Sequence, residues 1–132
     1  MDQITTRHDG YKKPVFCDLI ITENCIFKCK MCKMWQSKGD PDVLKIEVWK
    51  RFIDSFAAFA DGKAQVQFVG GEPLLKDGVL DLISYAAKKG FSTTMTTNAY
   101  LIDGKIAKDI TGSGLSTLFL SLDSMKRQTH DF

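Results

Sequence analysis

No block of basic residues, and no basic stretch interleaved with aromatics, occurs anywhere in the 132 residues, and the formal net charge is only +2. Such a balance carries no electrostatic footprint for a phosphate backbone, so no nucleic-acid partner is expected. Long hydrophobic runs are missing too. No apolar stretch approaches the roughly 20 residues that cross a bilayer, so no membrane span or membrane partner is expected. Residues 1–14, with Arg7, His8, Asp9, Lys12 and Lys13, form a polar N-terminal arm ending at Pro14. The arm lacks an apolar centre of signal-peptide length, so no secretory signal is read. Linkers, low-complexity segments and solenoid-type repeats are absent. What remains is one domain of ordinary size, 15–132, long enough to bury a core. There are only four cysteines, and three fall within eight positions. That crowding fits a reducing, cytoplasmic setting better than a disulfide framework. No general acid–base pair stands out.

The crowded stretch reads Cys25-Ile26-Phe27-Lys28-Cys29-Lys30-Met31-Cys32. Four residues of helix advance only about 6 Å, so thiols spaced four and then three apart can surround one small object. A thiolate trio can hold three irons of a four-iron, four-sulfur (4Fe-4S) cluster. The fourth iron is then left open, and an open metal position is where chemistry happens. Two other readings stand beside this one: a zinc site completed by a fourth ligand, and three unrelated structural cysteines. Cys17 lies eight residues before Cys25 and is available as a fourth ligand. Inside an apolar strand, however, it reads first as a small buried hydrophobe.

Strands and helices alternate along the rest of the chain. Val15–Thr22 is a nearly continuous apolar run, the pattern of a strand buried on both faces. Turn residues follow at Gly39 and Asp40-Pro41. A helix is expected from about Lys45 to Ala60, with Ile46, Trp49, Ile53, Phe56 and Ala60 as its buried stripe and Asp61-Gly62 as its stop. Its large aromatics, Trp49, Phe52, Phe56 and Phe59, read as core packing. A strand over Ala64–Val69 precedes a helix over about Gly78–Lys89 whose inner face is Val79, Leu82, Ile83 and Ala86. A threonine-rich strand over Phe91–Thr97 precedes a helix over about Ile102–Thr111. A last strand covers Leu115–Leu122. Helices between successive strands call for a parallel sheet with right-handed crossovers, so the fold class is α/β with about four strands and three helices.

Every unusual residue in this pattern falls just after a strand. The cysteine loop follows the first, Gly70-Gly71-Glu72-Pro73 the second, Asn98 the third, and Ser121 and Asp123 the fourth. In a parallel sheet these positions share one rim, the carboxyl rim where ligands bind. The two glycines let backbone approach a ligand closely. Glu72 can accept hydrogen bonds from an ammonium group, and Pro73 fixes the turn.

The C-x3-C-x2-C loop followed one βα unit later by Gly-Gly-Glu-Pro resembles the N-terminal part of a radical S-adenosylmethionine (radical SAM) enzyme. The flavour is that of cyclic pyranopterin synthase and of peptide-modifying enzymes with SPASM extensions. The resemblance implies that Cys25, Cys29 and Cys32 bind the cluster. It implies that the open iron takes the amino and carboxylate groups of S-adenosylmethionine, with Gly70, Gly71, Glu72 and Pro73 against the methionine amino group. Asn98, Ser121 and Asp123 are implied as further cofactor contacts. The implied activity is reductive cleavage of S-adenosylmethionine to a 5′-deoxyadenosyl radical that abstracts hydrogen from a substrate, a peptide or small molecule. An electron donor such as flavodoxin or ferredoxin is implied as a partner. A non-catalytic iron–sulfur or zinc-binding module is the alternative. Met31 stands where the family often carries an aromatic residue. The family barrel has six βα units, whereas this sequence stops after the fourth strand. The strand-five and strand-six motifs and any auxiliary-cluster cysteines are lacking. The expectation is therefore a partial radical SAM TIM-like barrel, a fragment with little or no turnover on its own.

Overall fold

Strands and helices alternate in the computed structural model, which describes residues 13–37, 44–60 and 63–126. The order is β1 (Phe16–Thr22), α1 (Ile46–Phe59), β2 (Gln65–Gly70), α2 (Val79–Lys88), β3 (Ser92–Thr97), α3 (Gly104–Gly112) and β4 (Thr117–Leu120). The strands form one sheet in the order β1-β2-β3-β4, and every neighbouring pair is parallel. Consecutive parallel neighbours joined by right-handed crossovers put all the helices on one side, the arrangement of a partial α/β barrel. The α/β class and the four-strand, three-helix layout expected from sequence are thus observed. The turn at Gly39 and Asp40-Pro41, the stop at Asp61-Gly62 and most of the N-terminal arm lie outside the described residues.

One expectation is corrected by that one-sided layering. The apolar run of β1 suggests burial on both faces, yet of its large apolar residues only Leu19 and Ile21 are buried, while Phe16 is 46% and Ile20 54% exposed. The helices cover one face, and the side chains that alternate onto the other stay open. The aromatic row of α1 divides in the same way. Phe56 enters the core with Ile53 and Ala60, whereas Phe52 and Phe59 are exposed. Phe52 stacks on Phe56 at a centroid distance of 6.2 Å, and Phe56 meets Phe91 at 5.3 Å. The predicted inner face of α2, Val79, Leu82, Ile83 and Ala86, is buried throughout. With Val66, Phe68 and Met95 these residues make the core between sheet and helices. Each large apolar side chain buried there contributes about 1.5–3 kcal/mol.

Two boundaries moved for local reasons. The third helix begins at Gly104 because Asp103 caps it, its Oδ1 accepting from Ile106 N at 2.7 Å. The fourth strand spans four residues rather than eight, but single bonds continue the pairing on either side, Ser116 N to Thr93 O and Ser121 N to Thr97 O, both 2.9 Å. Among the described residues no helix is long and apolar enough to cross a membrane.

On the outer surface α1 and α2 are tied by one polar cluster. Tyr85 donates its hydroxyl to both oxygens of Asp54 at 2.8 and 2.9 Å, and Lys89 Nζ lies 2.6 Å from Asp54 Oδ1. Hydrogen bonds from Lys89 and then Tyr85 hold the Asp54 carboxyl below its ordinary range, and Asp54 raises the Lys89 ammonium. A lowered carboxyl stabilises the fold above its unfolded pKa, and that contribution disappears as pH falls through the folded value. The raised ammonium stabilises below its unfolded pKa, and its contribution disappears as pH rises through the folded value. We expect Asp54→Asn to lower the melting temperature modestly at neutral pH. The gap to the unmodified chain should close in acid, as pH falls through the lowered folded-state pKa of Asp54. Thermal melts at neutral and at acid pH check this, and a gap of equal size at both would show that charge is not the cause.

Candidate active site at the carboxyl rim

The rim is built by backbone first. As β1 ends, Thr22 O accepts from Gly71 N at 2.9 Å and Asn24 O accepts from Glu72 N at 2.7 Å. The root of the cysteine loop is therefore laced to the turn after β2. That closeness requires glycine twice. A Cβ on Gly70, whose φ is +143°, would stand 2.2 Å from Thr22 O, and one on Gly71 would stand 2.2 Å from Asn24 O. No real side chain tolerates such an approach to a carbonyl.

Glu72 is fully buried at 0% exposure. Its Oε1 accepts from Leu74 N at 3.1 Å and from the Thr97 hydroxyl at 2.7 Å, and its Oε2 accepts from Asn98 N at 2.9 Å. The first of these caps the short 3-10 turn Pro73–Leu75, where Pro73 occupies a position whose N–H would have gone unused. The other two reach across to the end of β3. A carboxylate has about four acceptor positions, so three are filled by the chain itself. Most of the accepting capacity that sequence assigns to a ligand ammonium is thus spent on bracing β2 against β3.

Beyond β3 the chain makes a tight turn held by its own side chains. The Thr97 hydroxyl accepts from Ala99 N at 3.1 Å, and Asn98 Oδ1 accepts from Tyr100 N at 3.0 Å. Between them Ala99 sits at φ +64°, a left-handed conformation uncommon for alanine. The turn abuts the cysteine loop. Asn98 Nδ2 is 4.0 Å from Cys25 Sγ, and Tyr100 meets Phe27 edge-on with ring centroids 5.4 Å apart.

Within the loop Cys25 is half-buried, Cys29 and Cys32 are exposed, and all are free thiols. Cys29 O accepts from Cys32 N and from Trp35 Nε1, each at 3.2 Å. Ser37 donates its hydroxyl to Glu23, closing the segment at its base. Met31 is 87% exposed. Cys17 is half-buried on the core side near the start of β1, paired in register with Val66. Five strand residues, roughly 16 Å, separate it from the end of β1, which puts it out of reach of the other thiols. Its thiol is pushed up by burial and then by Asp18, as suits an inert buried cysteine.

Three thiols on one exposed loop are a donor set that a cluster can take. Among the described residues no three Cys, His, Asp or Glu side chains are gathered closely enough to hold one metal ion. A tetrahedral zinc would draw its ligands onto one centre. A 4Fe-4S cluster takes each thiolate on a different iron, and so asks for three thiols spread around a loop.

Cys25, Gly70, Gly71, Glu72, Pro73 and Asn98 are brought together. Ser121 stands beside Thr97 just past the end of β4, and Asp123 lies two residues further on, exposed. Thr97 and Trp35 escaped the sequence reading. A threonine ending a Thr-rich strand and a tryptophan after the third cysteine were the available signals. On the face opposite the helices, Asp18, Gln67, Thr94 and Thr117 share one register row across all four strands. Gln65 and Gln67 donate to Thr94 and Thr96 at 3.3 Å, so this face sets a polar row beside the exposed Phe16, Ile20 and Phe119.

The sequence model of the Radical SAM superfamily matches residues 19–132. The chain belongs to that superfamily. Members of the radical SAM family bind a 4Fe-4S cluster and S-adenosylmethionine. A Fe-coproporphyrin III synthase from Methanosarcina barkeri is 37% identical over 122 residues, covering 91% of this chain and 29% of that relative. A GTP 3′,8-cyclase from Aliarcobacter butzleri is 32% identical over 127 residues, covering 92% of this chain and 38% of that relative. The chain therefore spans about a third of the length of these curated relatives. Among solved structures, Streptococcus suis SuiB bound to S-adenosylmethionine superposes with a TM-score of 0.76 at 23% identity, covering 89% of this chain and 27% of SuiB. That likeness shows a shared fold.

Proposed function

We propose that Cys25, Cys29 and Cys32 hold a 4Fe-4S cluster with one open iron facing the rim, and that S-adenosylmethionine binds there. The observation that carries the reading is the lacing of three rim segments. Glu72 N donates to Asn24 O directly before Cys25, while the Glu72 carboxylate holds Asn98, whose side chain lies beside the Cys25 sulfur. Gly70 to Pro73 would line the methionine amino group mainly through backbone. The Glu72 carboxylate, itself closed to solvent, keeps that backbone in place. Asn98, Ser121 and Asp123 supply polar groups along the same rim toward the rest of the cofactor. When bound, the reduced cluster supplies one electron for cleavage of S-adenosylmethionine to methionine and a 5′-deoxyadenosyl radical, which abstracts hydrogen from a substrate.

The electron comes from an external carrier such as flavodoxin or ferredoxin. The open face below the rim, where Asp18 is exposed between Phe16 and Ile20, is where a peptide or small molecule would lie. The residues form the N-terminal portion of a radical SAM core domain. Anaerobic reconstitution followed by iron and sulfide counting tests the proposal. About four irons and four sulfides per chain are expected. One zinc and no sulfide would contradict the cluster and favour a zinc-binding module.

A further inference from the structure

The middle of the cysteine loop is held by one side chain that the chemistry above does not use. Trp35 lies in a 3-10 turn, Met34–Gln36, whose backbone is fixed by Gln36 N donating to Lys33 O and Ser37 N to Met34 O, each at 3.0 Å. The same turn is tied to the end of β1 through Ser37 and Glu23. From this anchored position the indole N–H reaches back six residues to Cys29 O at 3.2 Å. Cys32 N donates to the same oxygen, so both acceptor positions of the Cys29 carbonyl are filled. Lys28, directly before Cys29, sets its ammonium 5.8 Å from the centre of the Trp35 ring. One side chain thus grips the loop at Lys28 and at the Cys29 carbonyl, where the thiols of Cys29 and Cys32 are exposed.

We infer that Trp35 is a positioning residue for the cysteine loop: its indole N–H fixes the Cys29 carbonyl and so sets how firmly the loop retains its cluster. The inference rests on the cluster assignment proposed above. Its physical basis is preorganisation. An exposed loop must be ordered to present three thiolates at once, and a loop already ordered loses less freedom on binding and releases more slowly. Partners behind metal ligands typically account for 10- to 100-fold in metal affinity. An ordinary alternative is that Trp35 merely covers the loop as a half-buried ring. The two differ in what the nitrogen does.

Site-specific replacement of Trp35 by 3-benzothienylalanine separates them, because it keeps a bicyclic ring beneath Lys28 and deletes only the N–H. After anaerobic reconstitution of the full chain, the variant should release iron to excess chelator about tenfold faster than the unmodified chain. The resonance of its reduced cluster should broaden, while the iron-free variant keeps a cooperative melt. Release within about twofold of the unmodified chain would overturn the inference and leave the cluster assignment standing. An unmodified chain that takes up no iron would overturn both. Should the variant fail to fold, hydrogen exchange at the two indole N–H groups of the unmodified chain decides. Slow exchange at Trp35 is the expected result, and exchange at the rate of free indole there would refute the bond on which the inference stands.

Discussion

Cys29→Ala should abolish the cluster. After anaerobic reconstitution the variant should hold less than about a tenth of the iron and sulfide of the unmodified chain. Cys25→Ala and Cys32→Ala should behave alike. Three thiolates already leave one iron without a protein ligand, so removing a further one leaves only two of four corners held. Among the described residues no other cysteine stands beside the loop. Cys17 is the only other cysteine in the sequence, and it sits near the far end of β1 on the core side. Cys17→Ala should therefore keep full iron content, at the cost of some packing against the core. Iron loss in Cys17→Ala as complete as in Cys29→Ala would refute the open-iron assignment.

Glu72→Ala should produce the largest loss of stability among the rim variants, about 3 kcal/mol, or roughly 10 °C in melting temperature. The carboxylate accepts from Leu74 N, Asn98 N and the Thr97 hydroxyl in a site closed to solvent. Its removal orphans three donors, each costing about 1–3 kcal/mol if left dry and less if water enters the space. Thr97→Val removes one bond to the carboxylate and the acceptor of Ala99 N, and should cost about 1–2 kcal/mol. Iron content of Glu72→Ala should stay near normal, because the bond from Glu72 N to Asn24 O is made by backbone and survives. Affinity for S-adenosylmethionine should fall, since the Gly-Gly-Glu-Pro turn and Asn98 lose their common brace. Chemical denaturation and a titration of the cofactor against the reconstituted variant measure the two effects. Unchanged stability with unchanged affinity would reduce Glu72 to an ordinary turn residue.

The contrast between these two variants shows what was legible in the sequence. The cysteine spacing is local and chemically distinctive, and the glycine pair marks a close approach whatever surrounds it. Alternating helix and strand patterns then sufficed to put both on one rim. The role of the Glu72 carboxylate was not legible, because its partners Thr97 and Asn98 lie some 25 residues away and no local pattern pairs them. The one-sided burial of β1 was hidden for a similar reason. Its composition suits a strand covered on both faces, and only the side taken by the helices decides that Phe16 and Ile20 stay exposed. Trp35 fell between the cysteine loop and the turn that follows, and its grip on Cys29 leaves no periodicity to detect. Asp103 was a missed cap, and it moved the start of α3 from Ile102 to Gly104.

The cofactor site is tested most directly by electron paramagnetic resonance of the reconstituted, reduced chain before and after addition of S-adenosylmethionine. An open iron at the rim should give the signal of a reduced 4Fe-4S cluster whose g-values shift when the cofactor binds. The shift should be lost in Glu72→Ala at cofactor concentrations that saturate the unmodified chain. A reduced cluster whose spectrum is identical with and without S-adenosylmethionine would contradict the assignment, because the fourth iron would then not be the place where the cofactor binds.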